Sequence, residues 1–165
     1  MTVFLEVDPA DEPPRLPLIA GPKDKQHEFL DDRMRQALAA QPKLAQLEER
    51  VLTVGGVGMV PPDGIEEDLE RILARGEVFD SRDALQRPSR PRDCHANSAA
   101  LWEAHPERYT ICTGYALSTD GFWRQHSWAI ERRTKRLVET TRVRLAYFGY
   151  RLDGLEAEKF ASANG

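Results

Sequence analysis

The sequence predicts an α+β fold, helices packed on an antiparallel sheet, and three observations carry that expectation. In the first half Leu30, Met34 and Leu38 recur at helical spacing, and Ile65, Leu69, Ile72 and Leu73 do the same further on. After residue 104 the texture changes, and segments 109–118, 121–130, 137–141 and 146–152 are rich in aromatic and β-branched residues. Helices and strands are thus segregated along the chain instead of alternating, as in α+β proteins. At 165 residues, 41% hydrophobic and 30% charged, the chain reads as one globular domain spanning 1–165. It divides into a helical part, about 1–90, and a second part, about 91–165.

Residues 2–7 alternate as a short strand, and the five prolines between Pro9 and Pro22 mark an extended loop. The first helix is expected over 23–40, with Phe29 and Ala37 widening its apolar stripe and His27 on its surface. Pro42 interrupts it, and Leu44, Leu47 and Val51 indicate a further short helix or turn. Gly55, Gly56 and Gly58 form a glycine-rich turn between short strands. They lack the third glycine and following helix that a dinucleotide-binding loop requires. Asp63 is the expected N-cap of a helix over 64–75, stopped by Gly76. An arginine- and proline-rich loop, 77–91, leads to a helix over 94–104 that ends before Pro106, with His105 as its C-terminal cap. Asp120-Gly121 and the polar run 132–135 are the turns between successive strands, and a short helix over 154–163 closes the chain.

The chemistry concentrates between Cys94 and Glu139. Pro88, Pro91 and Asp93 precede Cys94 and set it in the first turn of a helix, where unpaired backbone N–H groups and the helix dipole favour a thiolate. Cys112, mid-strand, fits a buried structural cysteine. His126 shares a strand face with Trp128 and Ile130. A hairpin through 132–135 sets His126 opposite Glu139 or Thr141, and either register keeps Glu139 on its face. Glu139 is a charge inside the otherwise apolar and β-branched run Leu137–Thr141, a position that calls for a partner.

A cysteine at a helix start, a histidine on a strand and an acid on the next strand resemble the papain-like and transglutaminase-like thiol enzymes, over roughly residues 92–150. The resemblance implies a papain-like/transglutaminase-like core with Cys94 as nucleophile, His126 as base and Glu139 as the acid orienting the imidazole. It also implies acyl transfer on an amide, thioester or peptide, with no cofactor. Papain-like enzymes carry a glutamine shortly before the cysteine as part of the oxyanion hole. Here the nearest is Gln86, eight residues upstream, so Asn97 and Gln125 become the side-chain candidates beside the Cys94 backbone N–H. Two other readings stay open: a catalytically silent interaction module of the same fold, and a zinc protein using Cys94, His95, His126 and Glu139. The metal reading lacks paired ligand spacing.

Net charge is −4, too mild to imply a nucleic acid. It is unevenly spread. Arg124, Arg132, Arg133, Lys135, Arg136, Arg142 and Arg144 face only Glu131 and Glu139 within 124–144, so that segment carries +5 and the remainder −9. The stretch reads as a solvated face or as a patch that attracts an acidic substrate. No signal-peptide or membrane-spanning pattern is present in the sequence, and two cysteines imply free thiols in a reducing compartment. The expected location is cytoplasmic, with no membrane partner.

Overall fold

The structure, a computed structural model, describes residues 25–165. The strand expected at 2–7 and the proline-rich loop at 9–22 lie outside the described residues. Within them the fold is mixed α and β, with five helices and a mostly antiparallel sheet.

Helix α1 (Lys25–Ala40) turns Leu30 and Met34 inward. Phe29, expected to widen that stripe, is instead 60% exposed. Helix α2 (Leu44–Val54) is a full helix, with Leu44, Leu47 and Val51 completely buried. Each such side chain contributes about 1.5–3 kcal/mol of hydrophobic stabilisation. The glycine-rich turn joins α2 to the two-residue strand β1 (Gly58–Met59), so only one of the two strands expected around it is present.

The helix expected over 64–75 is shortened to α3 (Leu69–Arg75). Asp63 does not cap it and pairs with Arg33 instead. The cause is Glu66, a buried acid that fixes the segment before α3. It accepts hydrogen bonds from the Tyr115 hydroxyl at 2.7 Å and Gln125 Nε2 at 2.6 Å, while the Gln41 amide bonds its backbone. Ile65 is left 59% exposed. Gly76 ends α3 in an extended, not a left-handed, conformation. A Cβ there would meet the Ile72 carbonyl and lie 2.8 Å from the Phe148 ring.

The arginine-rich loop also contributes two short strands, β2 (Glu77–Phe79) and β3 (Leu85–Gln86). The first 90 residues are therefore not purely helical. Helix α4 (Cys94–Ala104) follows, then β4 (Tyr109–Leu117), β5 (Phe122–Glu131), β6 (Leu137–Glu139), β7 (Ala146–Arg151) and α5 (Gly154–Asn164). Helix α5 opens with a complete capping box between Asp153 and Glu156.

The sheet order is β2-β7-β4-β5-β6-β3, with β1 pairing β5. The pairs β1–β5 and β3–β6 are parallel and the rest antiparallel. One face carries Ile111, Tyr115, Leu117, Trp123 and Phe148 and packs against side chains from α1, α2, α3 and α5. The other carries Cys112, Ala116, Trp128, Ile130, Leu137 and Tyr147. Because β2 and β3 lie at opposite edges, the chain between them must cross the sheet. Ala84, at the end of that crossing, packs on the second face.

Candidate functional site

Strand β5 has a neighbour on each side only toward its two ends. Phe122 and Trp123 pair with β1, and Ala129 and Ile130 pair with β6. Between them, residues 124–128 keep β4 on one side and have no strand on the other among the described residues. The N-terminus of α4 fills this gap. Asn97 N–H is the first to bond back along the helix, to the Asp93 carbonyl at 2.9 Å. The backbone N–H groups of Cys94, His95 and Ala96 therefore lack intrahelical acceptors. Asp93 holds the N-cap position, but its side chain makes no capping hydrogen bond.

Cys94, at the start of α4, faces the imidazole of His126 closely enough for each to shift the other's protonation. The Ser127 backbone N–H is directed at the same sulfur. On the far side of the ring, His126 Nε2 lies 2.8 Å from Glu139 Oε2, which leaves Nδ1 for the thiol. The β5–β6 register (Ala129 to Val138, Ile130 to Leu137) extends to set Thr141 opposite His126 and Glu139 diagonal to it. Glu139 has no solvent exposure, and four donors surround it. Besides His126, the Tyr147 hydroxyl donates to Oε2 at 2.7 Å, and Thr141 donates its N–H at 2.8 Å and its hydroxyl at 2.9 Å to Oε1. The His126 ring is flanked by Trp128, near parallel at 18°, and by Tyr147.

These contacts shift all three groups. Burial raises the Cys94 thiol, but the imidazole and the Ser127 N–H outweigh it and hold the thiol below its ordinary value. Burial pulls His126 down, yet its contacts with Cys94 and Glu139 push it up to about 9. Burial likewise raises Glu139, and the bond and charge of His126 overcome this and lower it. All three directions favour a thiolate beside an imidazolium backed by a carboxylate. Cys112 differs in every respect. It is fully buried, and burial drives its thiol far up. Both cysteines are free.

Asn97 is not directed at the thiol. It is 5% exposed, its Nδ2 donates to the Arg90 carbonyl at 2.7 Å, and its Oδ1 accepts from the Arg90 N–H at 3.3 Å. It fastens the approach to α4. Gln125 lines the same cleft as Cys94 and His126 while Nε2 donates to Glu66. His95 turns away from Cys94, with Nδ1 2.6 Å from Ser127 Oγ and its ring against Phe160. Among the described residues, no group of three or more His, Cys, Asp or Glu side chains is arranged to hold a metal ion. Sequence reasoning missed Tyr147 and Thr141 as partners of Glu139, and the Ser127 N–H. Tyr147 sits on an ordinary strand and nothing in its neighbourhood marks it.

The cleft at the thiol has a volume of about 180 Å³. Among the described residues no helix is long and apolar enough to cross a membrane. No family model, curated protein or solved structure matches the chain.

Proposed function

We propose that this chain is a thiol-dependent acyl-transfer enzyme, a hydrolase, amidase or peptidase of papain-like or transglutaminase-like type. The observation that carries the reading is His126 lying between Cys94 and a fully buried, fourfold hydrogen-bonded Glu139. In this mechanism the Cys94 proton resides on His126, and the thiolate attacks the substrate carbonyl. The new Sγ–C bond places negative charge on the carbonyl oxygen, which the free backbone N–H groups at the start of α4 stabilise. Gln125, on the cleft wall, is the side-chain candidate for a further donor. His126 then returns its proton to the leaving group, the acyl group stays on Cys94, and water or an amine releases it. Glu139 orients the ring and sustains the imidazolium.

Limiting iodoacetamide at neutral pH, with mapping of the adduct, tests this. The expected result is selective alkylation of Cys94 over Cys112, lost in His126→Ala. Equal and slow labelling of both thiols sinks the proposal and leaves an interaction module. Stoichiometric zinc by elemental analysis would instead favour the metal reading.

A further inference from the structure

We infer that the substrate carries an anionic group, a carboxylate or a phosphate, that binds arginines in the cleft beside Cys94. The inference rests on the acyl-transfer reading and adds its substrate class. Three arginines reach this small cleft from separate parts of the chain: Arg92 before α4, Arg124 on β5 and Arg144 before β7. Among the described residues no acidic residue lines it. Arg124 is already matched, its two terminal nitrogens lying 2.9 and 2.8 Å from the two carboxylate oxygens of Asp120. Glu139 is buried behind His126, with both oxygens occupied.

Arg144 and Arg92 are the groups left over. Arg144 Nη1 donates to Ser118 Oγ at 3.1 Å, but its Nε is buried with no hydrogen-bond partner among the described residues. A buried charged donor without an acceptor is costly, so this guanidinium, at the cleft wall, is only partly satisfied by the protein. Arg92 adopts a left-handed backbone conformation, φ 63°, uncommon for a residue with a side chain. It stands two residues before the proposed nucleophile. Guanidinium groups match carboxylates and phosphates with paired, charge-assisted hydrogen bonds.

Charge is sorted by site. A second cavity, about 460 Å³, is lined by Glu66, Glu67, Asp68 and Glu156 against Arg71 and Lys159. The thiol cleft is thus lined by arginines, and the 460 Å³ cavity mainly by acids. Of the basic run 124–144, only Arg124 and Arg144 line this cleft, while Arg132 and Arg136 bond backbone carbonyls elsewhere.

The test compares iodoacetate with iodoacetamide on the full chain at neutral pH. Either reagent forms the Sγ–C bond of Cys94 with loss of iodide, and the two differ in charge. The expected iodoacetate-to-iodoacetamide rate ratio at Cys94 exceeds that of a free cysteine derivative by about tenfold, the order of one charge-assisted hydrogen bond. His126 contributes to that preference, so the arginine share is read from R92Q/R144Q, where the ratio falls severalfold. Added salt should lower the ratio in the unaltered protein, which keeps the test standing if the double variant does not fold. Rapid iodoacetamide labelling with no preference for iodoacetate, or a ratio indifferent to both salt and substitution, overturns this inference alone. Slow labelling by both reagents overturns the acyl-transfer reading and the inference with it. Protection of Cys94 by succinate assigns a carboxylate, and protection by inorganic phosphate a phosphate.

Discussion

Glu139→Gln isolates the charge of the buried acid while nearly preserving its shape. The carboxylate accepts four hydrogen bonds, two at each oxygen. An amide offers one oxygen and one NH₂ group. With NH₂ at the Oε1 position, the Thr141 hydroxyl can rotate to accept, but the Thr141 backbone N–H faces a donor. With NH₂ at Oε2, the Tyr147 hydroxyl can rotate, and His126 must shift its tautomer. One unsatisfied buried donor costs about 1–3 kcal/mol, so urea denaturation should show a loss of about 2 kcal/mol. Reactivity is affected separately. A charge-assisted bond is roughly twice as strong as a neutral one, so imidazolium loses on the order of 1.5 kcal/mol of support relative to imidazole. That is about tenfold in thiolate population. Glu139 also repels the thiolate directly, an effect working the other way and weakened by distance. Alkylation of Cys94 at neutral pH should therefore slow about tenfold. An unchanged or faster rate, in a variant that retains its fold, would refute the account of Glu139 as support for His126.

The pH profile of Cys94 alkylation carries the sign of the thiol shift. Reactivity follows thiolate and rises with pH through the thiol pKa, so the native profile should rise below the ordinary thiol range of about 8.5. In His126→Ala burial remains and the imidazole is gone, so the rise should move to higher pH; superimposable profiles would exclude His126 as the cause. Gly149→Ala should destabilise the fold by about 1–3 kcal/mol. Its Cβ would meet the Thr113 carbonyl oxygen and lie 2.8 Å from Trp128 Cη2, and a denaturation midpoint like that of the native chain would mean the sheet yields there.

Much of the C-terminal half is legible in the sequence because local preference and tertiary need agree there. Helix α4 runs from Cys94 to Ala104 as expected, and Asp120-Gly121 turns the chain, with φ 87° at the glycine. The strands end within two residues of their expected limits. Period-two alternation also brings His126 and Glu139 onto one face. The first half resists because buried polar contacts override its periodicity. Ile65 completes an apolar helical stripe, yet Glu66 beside it is drawn to Tyr115 and Gln125, far away in sequence, and the helix cannot begin until Leu69. The short strands β2 and β3 take their partners from β7 and β6, so nothing local in an arginine- and proline-rich loop announces them. Asn97 illustrates the limit at the site. Its position in the helix permits an oxyanion role, and only the folded path of residue 90 shows where its amide goes. The convergence of Arg92 with Arg124 and Arg144 is long-range in the same way.

The gap in β5 that receives the start of α4 gives the two cysteines opposite relations to unfolding. The Cys94 thiol is lowered by partners that exist only while α4 stays docked on β5, so on the proposed reading undocking exposes the sulfur and returns it to an ordinary, mostly protonated thiol. At neutral pH exposure and reactivity then change in contrary directions at this residue. Cys112 follows the usual course, inert while buried and reactive once released. During denaturation one chain thus carries a thiol whose alkylation marks the native population and another whose alkylation marks its loss. Where the two signals cross at different denaturant concentrations, the docking of α4 and the integrity of the sheet are separable events.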